Sequence, residues 1–203
     1  MMDRRQFLKA GLGLAAATMG GGLLPFGFES LAHAEAASQF VGIDLLHGTR
    51  TLNLVRPENH ERLSIEYMRD GQWCEDAYNR ICWFLRDIHA HEYVQMDTRT
   101  IAILDWSQSY LKQYGYTQPF EILSGFRSRR TNEKTEGAAK DSQHLYGKAV
   151  DVRIPGMSVE YLGKLYHWLA AGGVGIYDSH NFVHVDTGPR YTKAGHIREW
   201  RRS

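Results

Sequence analysis

The sequence predicts an α+β fold, an antiparallel sheet with helices packed on it, from two observations. Short runs with period-two alternation, bounded by turn residues, flank two long stretches whose apolar residues recur at helical spacing. No segment repeats, and no Pro/Gly/Ser-rich linker divides the chain. With 203 residues, 43% of them hydrophobic and 23% charged, the chain suits one globular domain with short appendages. The formal net charge of +1, from 24 Lys and Arg against 23 Asp and Glu, gives no general basic field, so no nucleic-acid partner is expected.

The first residues read as a targeting segment. Arg4 and Arg5 precede Phe7-Leu8, an apolar Gly/Ala/Leu run covers residues 10–24, and Ala32-His33-Ala34 forms a small-x-small cleavage signature. This is the pattern of a twin-arginine (Tat) export signal over residues 1–34, handled by the Tat export machinery and leading to the periplasm. The run is too rich in glycine and too short for a span of about 20 apolar residues, so no membrane span is expected once it is removed. Cleavage after Ala34 leaves residues 35–203, formally neutral, as a single domain. Cys74 and Cys82 fall within one expected helix, about 12 Å apart at 1.5 Å per residue, beyond disulfide reach; both are expected to be buried thiols.

Residues 40–55 alternate around His47-Gly48-Thr49 as a hairpin or two short strands, and residues 63–68 form a strand before an Asp70-Gly71 turn. A helix is expected over residues 73–91, burying Trp73, Ala77, Ile81, Phe84, Leu85 and Ile88. A second covers residues 97–114, with Ile101, Leu104, Leu111 and Tyr114 inward and a stop at Gly115. Residues 119–125 read as a strand running into a turn, residues 131–140 as loop or short helix, and residues 149–154 as a strand. A helix over residues 158–171 starts at a Ser cap and ends at Gly172-Gly173, and residues 174–177 and 182–186 make a hairpin. Residues 194–198 read as a tail with His196 in solvent. The tryptophans Trp73, Trp83, Trp106, Trp168 and Trp200 are assigned mostly to core packing.

Groups suited to a metal concentrate between Ser124 and Asp186. His144 and Asp151 flank a turn at Gly147, and His184 lies on a nearby strand. Two imidazoles and a carboxylate would leave a fourth Zn²⁺ position for water. Spacing alone also permits a surface His144, a turn-capping Asp151 and a hydrogen-bonded sheet His184.

The run Ser142-x-His144-x-x-Gly147-x-Ala149-x-Asp151, followed by His184-Val185-Asp186, resembles the zinc-binding pattern of the LAS metallopeptidases, which include the D-Ala-D-Ala peptidases. With Ser124-Gly125-Phe126-Arg127-Ser128, Thr131-Asn132, Asp151-Val152-Arg153-Ile154-Pro155-Gly156, Gly172-Gly173-Val174-Gly175 and Thr187-Gly188, it most resembles the YcbK-like (MepK) murein endopeptidases, over residues 45–200.

The resemblance implies a hedgehog/D-Ala-D-Ala peptidase-like fold and Zn²⁺ bound by His144, Asp151 and His184. It implies that Arg127 polarises a scissile carbonyl or holds a substrate carboxylate, and that Ser142 contacts substrate or steadies the His144 loop. The expected substrate is the peptide part of peptidoglycan and the expected activity cross-link hydrolysis by a monomer. A D,D-carboxypeptidase and a non-catalytic zinc-containing wall-binding protein are the alternatives. Many members of the wider superfamily place a Glu or Asp three residues before the second zinc histidine. Here Asn181 stands there and cannot take a proton, which leaves His180 and Asp186 as candidate general bases. Asp186 also suits a role orienting an imidazole.

Overall fold

The computed structural model describes residues 48–169, 172–193 and 196–203. The expected signal segment, its cleavage site and residues 40–47 of the first expected hairpin lie outside the described residues. Eight strands form one sheet: β1 (Thr49–Arg56), β2 (Glu61–Arg69), β3 (Gln72–Trp73), β4 (Phe120–Ser124), β5 (Ala149–Arg153), β6 (Val174–Tyr177), β7 (Phe182–Asp186) and β8 (Glu199–Arg202). Among the described residues four helices accompany them: α1 (Glu75–Phe84), α2 (Thr98–Lys112), α3 (Arg129–Lys134) and α4 (Val159–Leu169).

The strand order is β3-β2-β1-β4-β5-β7-β6-β8. The sheet is mixed and not antiparallel throughout, because β1 pairs with β4, and β6 with β8, in parallel. Between β1 and β4 the chain inserts a hairpin and two helices, long enough to return to the same end of the sheet, which a parallel pair requires.

Period-two alternation sorts the strands into two faces. Leu52, Leu54, Phe120, Ile122, Val150, Val152, Val183, Val185 and Val174 belong to one contiguous buried core. Into that core α1 packs over β2, α2 over β1, and α4 over β6 and β7. The opposite face of β5, β6 and β7 carries Asp151, Gly175 and His184. A bulge between Ile122 and Ser124 shifts the register, so Ser124 pairs with Asp151 and leaves the core-facing row its spacing would give it.

Three expectations are corrected here. The helix expected to reach residue 91 stops at Phe84. There the buried Arg56 guanidinium donates to the carbonyls of Phe84 (2.8 Å) and Arg86 (3.2 Å), and the Asp87 carboxylate accepts from the amides of His89 and Ala90. Arg56 from β1 thus satisfies the carbonyl of the last helical residue, while the Leu85 and Arg86 amides donate to the carbonyls of Ile81 and Trp83.

Trp73 is in β3, and Cys74 is the exposed residue preceding α1, so only Cys82 is a buried thiol. The tryptophans are not uniformly core: Trp106 is buried, whereas Trp83 and Trp168 are each 46% exposed. The expected tail, residues 194–198, leads into β8, and His196 is exposed as expected.

Candidate metal centre and its groove

One lateral row of the sheet builds the site. Register pairs Ser124 with Asp151, Asp151 with His184, His184 with Gly175, and Gly175 with Trp200, across β4, β5, β7, β6 and β8. His144 reaches the row from a 3₁₀ turn (Gln143–Tyr146). Ser142 caps that turn, its hydroxyl accepting from the His144 amide at 3.4 Å, and Gly147 ends it at φ +63°. A left-handed conformation there favours glycine, and a Cβ would also press on Val94 at 2.9 Å. The turn therefore delivers His144 to β5 within seven residues of its strand partner.

His144 Nε2 lies 3.0 Å from His184 Nδ1 and 3.1 Å from Asp151 Oδ1, and His184 Nδ1 lies 2.9 Å from the same carboxylate oxygen. All three residues are buried, and they form the group whose ligand atoms fall within 4.8 Å of one another. The outer ring nitrogens are committed. His144 Nδ1 meets the Gly125 carbonyl at 2.6 Å, and His184 Nε2 meets the Asp186 carboxylate at 3.2 Å. Both partners can only accept, so both outer nitrogens donate and the inner nitrogens are free to present lone pairs beside the Asp151 carboxylate.

Such a donor set fits a cation. Four-coordinate Zn²⁺ with nitrogen and oxygen ligands at about 2.0–2.1 Å has ligand atoms about 3.3 Å apart, close to the spacing here. Electrostatics agrees. Burial alone would raise the Asp151 carboxyl, but the His144 and His184 imidazoles hold it well below the usual carboxylate range. Burial pushes His144 down, whereas at His184 the flanking Asp151 and Asp186 carboxylates outweigh burial and push it up.

Asp186 sits behind His184, not over the inner nitrogens. It is 0% exposed. Its Oδ1 accepts from the amides of Gly173 and Gly188, both at 2.8 Å, and its Oδ2 accepts from Arg198 Nη2 at 2.9 Å. Burial would raise this carboxyl, but His184, the Gly173 amide and Arg198 keep it below its ordinary value.

Arg127 stands over the inner atoms. Its Nη2 is 3.0 Å from His144 Nε2 and contacts Asp151 Oδ2, and its Nε donates to Ser124 Oγ at 2.8 Å. The bulge that turns Ser124 to this face thus orients Arg127. His180 lies on the β6–β7 turn, exposed, with Ser179 Oγ 3.0 Å from its Nδ1. It lines a cleft of about 480 Å³ together with Arg127, Asp151, Tyr177 and Phe182. Asn181 occupies the turn at φ +52°.

A second cleft of about 360 Å³ shares those four residues and adds Ser142, His144, His184, Trp200 and Arg202, so the two form one groove across the triad. Trp200 packs its indole 5.2 Å from the His184 ring and donates from Nε1 to Tyr177 Oη at 3.1 Å. Sequence reasoning missed Arg198 and the groove roles of Trp200 and Arg202. Their only signal was the short alternation Glu199-Trp200-Arg201-Arg202 after a glycine-containing loop, too brief and too charged to read as a strand. Tyr177 lines the groove, whereas Tyr191 is not among its lining residues.

A sheet that presents two imidazoles and a carboxylate to an open groove, each imidazole fixed by an acceptor behind it, is the architecture of a metallopeptidase. The chain belongs to the peptidase M15_2 family, described as peptidoglycan L,D-endopeptidase MepK, whose model matches residues 45–200. It is 32% identical over 144 residues to "Peptidoglycan L,D-endopeptidase MepK" of Escherichia coli (strain K12), covering 69% of this chain and 78% of that protein. To "Probable peptidoglycan L,D-endopeptidase MepK" of Haemophilus influenzae it is 31% identical over 145 residues, covering 70% and 73%. Residues 1–21 match the twin-arginine translocation signal sequence, which directs the chain to the periplasm. Among the described residues, no helix is long and apolar enough to cross a membrane.

Proposed function

We propose that this protein is a zinc-dependent murein endopeptidase that hydrolyses peptide cross-links of peptidoglycan in the periplasm. In this reading residues 1–34 are the signal peptide, and residues 35–203 are the catalytic domain, a hedgehog/D-Ala-D-Ala peptidase-like variant of the α+β fold acting as a monomer. The observation that carries it is the convergence of His144 Nε2, His184 Nδ1 and Asp151 Oδ1, with both outer ring nitrogens already donating elsewhere. Histidines serving only as packing would have no reason to turn two lone pairs toward one carboxylate.

His144, Asp151 and His184 would hold Zn²⁺, which supplies Lewis acidity and lowers the pKa of water to about 7. The residues of the chain do the rest. The Gly125 carbonyl and Asp186 keep a proton on each outer nitrogen, fixing the ring orientations. Arg127 holds the carbonyl oxygen of the scissile amide as it gains negative charge. His180, at the groove rim with Nδ1 beside Ser179, takes a proton at Nε2 and returns it to the leaving amine. Asp186 is a positioning residue, because its oxygens are spent on five donors behind His184. Ser142 steadies the His144 turn.

The test uses residues 35–203, metal-analysed beforehand and incubated with cross-linked peptidoglycan fragments, with and without a zinc chelator, the products being read by mass spectrometry. Chelator-sensitive conversion of dimers to monomers is expected, and His144→Ala should lose both zinc and turnover. Release of a terminal D-Ala alone would instead make the protein a D,D-carboxypeptidase. Zinc-loaded protein that leaves every fragment intact would make it a wall-binding protein.

A further inference from the structure

Next to the triad's row, the same sheet face carries a second row that the chemistry above does not use. Phe182 pairs with Tyr177 across β7 and β6, and Tyr177 pairs with Arg202 across β6 and β8. Side chains repeat every two residues, so this row runs parallel to that of His184, Gly175 and Trp200, about 7 Å along the strands. The Tyr177 and Phe182 rings are stacked, with centroids 4.4 Å apart and planes 12° from parallel. The Arg202 guanidinium carbon lies 5.9 Å from the Tyr177 centroid. A Cβ added at Gly137 would meet Arg202 Nη1, so the guanidinium also lies close to that backbone. The exposed head of a long side chain at the end of an edge strand thus has both a ring and a backbone beside it.

Its charge is unanswered. Arg127 contacts Asp151, Arg198 is paired with Asp186, and Arg201 bridges Asp178 and Glu160. Arg202 makes no ion pair among the described residues. Besides Asp151 and Asp186, which are already engaged at the metal centre, two carboxylates line the same cleft. Asp141 accepts from the Tyr146 hydroxyl at 2.6 Å, and Glu136 is not within ion-pair distance of Arg202. A guanidinium held over an aromatic ring keeps its fork of N–H donors in one plane, which suits two-point capture of a carboxylate.

We propose that Arg202 binds a carboxylate of the peptide substrate one subsite away from the scissile bond, while the Tyr177–Phe182 stack supports the apolar part of the chain between. The inference rests on the endopeptidase reading and deepens it: the preferred substrate carries a free carboxylate at that subsite, not an amide.

The test compares zinc-loaded wild type, Arg202→Gln and Arg202→Lys on a cross-linked peptidoglycan peptide and on the same peptide with its carboxylates converted to carboxamides. Wild type is expected to prefer the free acid. Arg202→Gln should shrink the acid-to-amide ratio of kcat/KM about tenfold, mostly through KM, and Arg202→Lys should restore part of it. An identical ratio in wild type and Arg202→Gln overturns the proposal. If wild type cleaves neither peptide, the endopeptidase reading fails on its own. Fluorescence anisotropy with labelled acid and amide peptides then decides the role of Arg202: an acid preference lost in Arg202→Gln upholds it, and equal preference rejects it.

Discussion

Replacing Asp186 by Asn separates what this carboxylate does for the fold from what it does for the metal centre. The change keeps the shape of the side chain and exchanges one oxygen for an NH₂ group. In the native structure Oδ1 accepts from Gly173 and Gly188, each at 2.8 Å, and from Arg198 Nη1 at 3.2 Å; Oδ2 accepts from Arg198 Nη2 at 2.9 Å and from His184 Nε2 at 3.2 Å. An amide nitrogen in either place faces donors, so at least two hydrogen bonds become repulsive contacts, and Arg198 loses its counter-charge. Breaking a buried pair costs about 3–5 kcal/mol. Because the Arg198 side chain is 22% exposed and water can solvate it, the lower end, about 3 kcal/mol, is expected in urea unfolding. Separately, the His184 ring loses the carboxylate charge behind Nε2, and the acceptor itself when the amide nitrogen takes the Oδ2 place. Loss of such a partner lowers metal affinity about 10–100-fold, read by competition with a chromophoric zinc chelator. Arg198→Gln is the companion variant. It should lose stability of the same order yet bind zinc nearly as well as wild type, since the carboxylate still meets His184. Asp186→Asn binding zinc within twofold of wild type, or Arg198→Gln losing as much affinity as Asp186→Asn, would refute the reasoning.

Two further outcomes follow from residues that are not themselves ligands. Asp105, 2% exposed and 3.5 Å from Arg50, has its carboxyl pushed up by burial to about 6, with Arg50 opposing. The unfolded chain sheds this proton near pH 3.9, so the contribution of Asp105 to stability falls as pH rises from about 4 to about 6 and stays low above, by on the order of 3 kcal/mol. The difference in unfolding free energy between wild type and Asp105→Asn should therefore shift in favour of the variant across that window; a pH-independent difference would count against it. Gly175→Ala would drive a Cβ into the Trp200 indole, displacing the ring that covers His184. A loss of about 1–3 kcal/mol and a shift in tryptophan fluorescence are expected, and an unshifted emission spectrum would show that the indole did not need the space.

Much of this molecule was legible because its signals are local. Alternation in residues 149–153 and 182–186 is set by the two-residue repeat of a strand, and the 3.6-residue period of α2 and α4 is set by helix geometry, so both survive in the sequence. Helix α1 ended early because its terminating group, Arg56, comes from another strand. The mixed sheet escaped for a related reason: strand direction depends on where a long connection returns the chain, and alternation is the same for parallel and antiparallel neighbours. Trp83 and Trp168 show that a helical period names a face but does not fix how much of it the neighbouring elements cover.

By itself the sequence determined the residue types of the candidate site, their order along the chain, and a targeting signal at its start. His144, Gly147 and Asp151 lie within one turn and one strand, so their spacing carries the geometry. Only the tertiary structure decided which atoms of those residues converge, since ring orientation is set by Gly125 and Asp186, contacts made 19 and 2 residues away along the chain. It also brought β8 beside β6, adding Trp200 and Arg202 to the groove through main-chain hydrogen bonding that depends on register and is blind to side-chain identity. Arg198 and Asp186, 12 residues apart, are joined for the same reason: a buried carboxylate needs a counter-charge, but any arginine that the fold returns to it will serve.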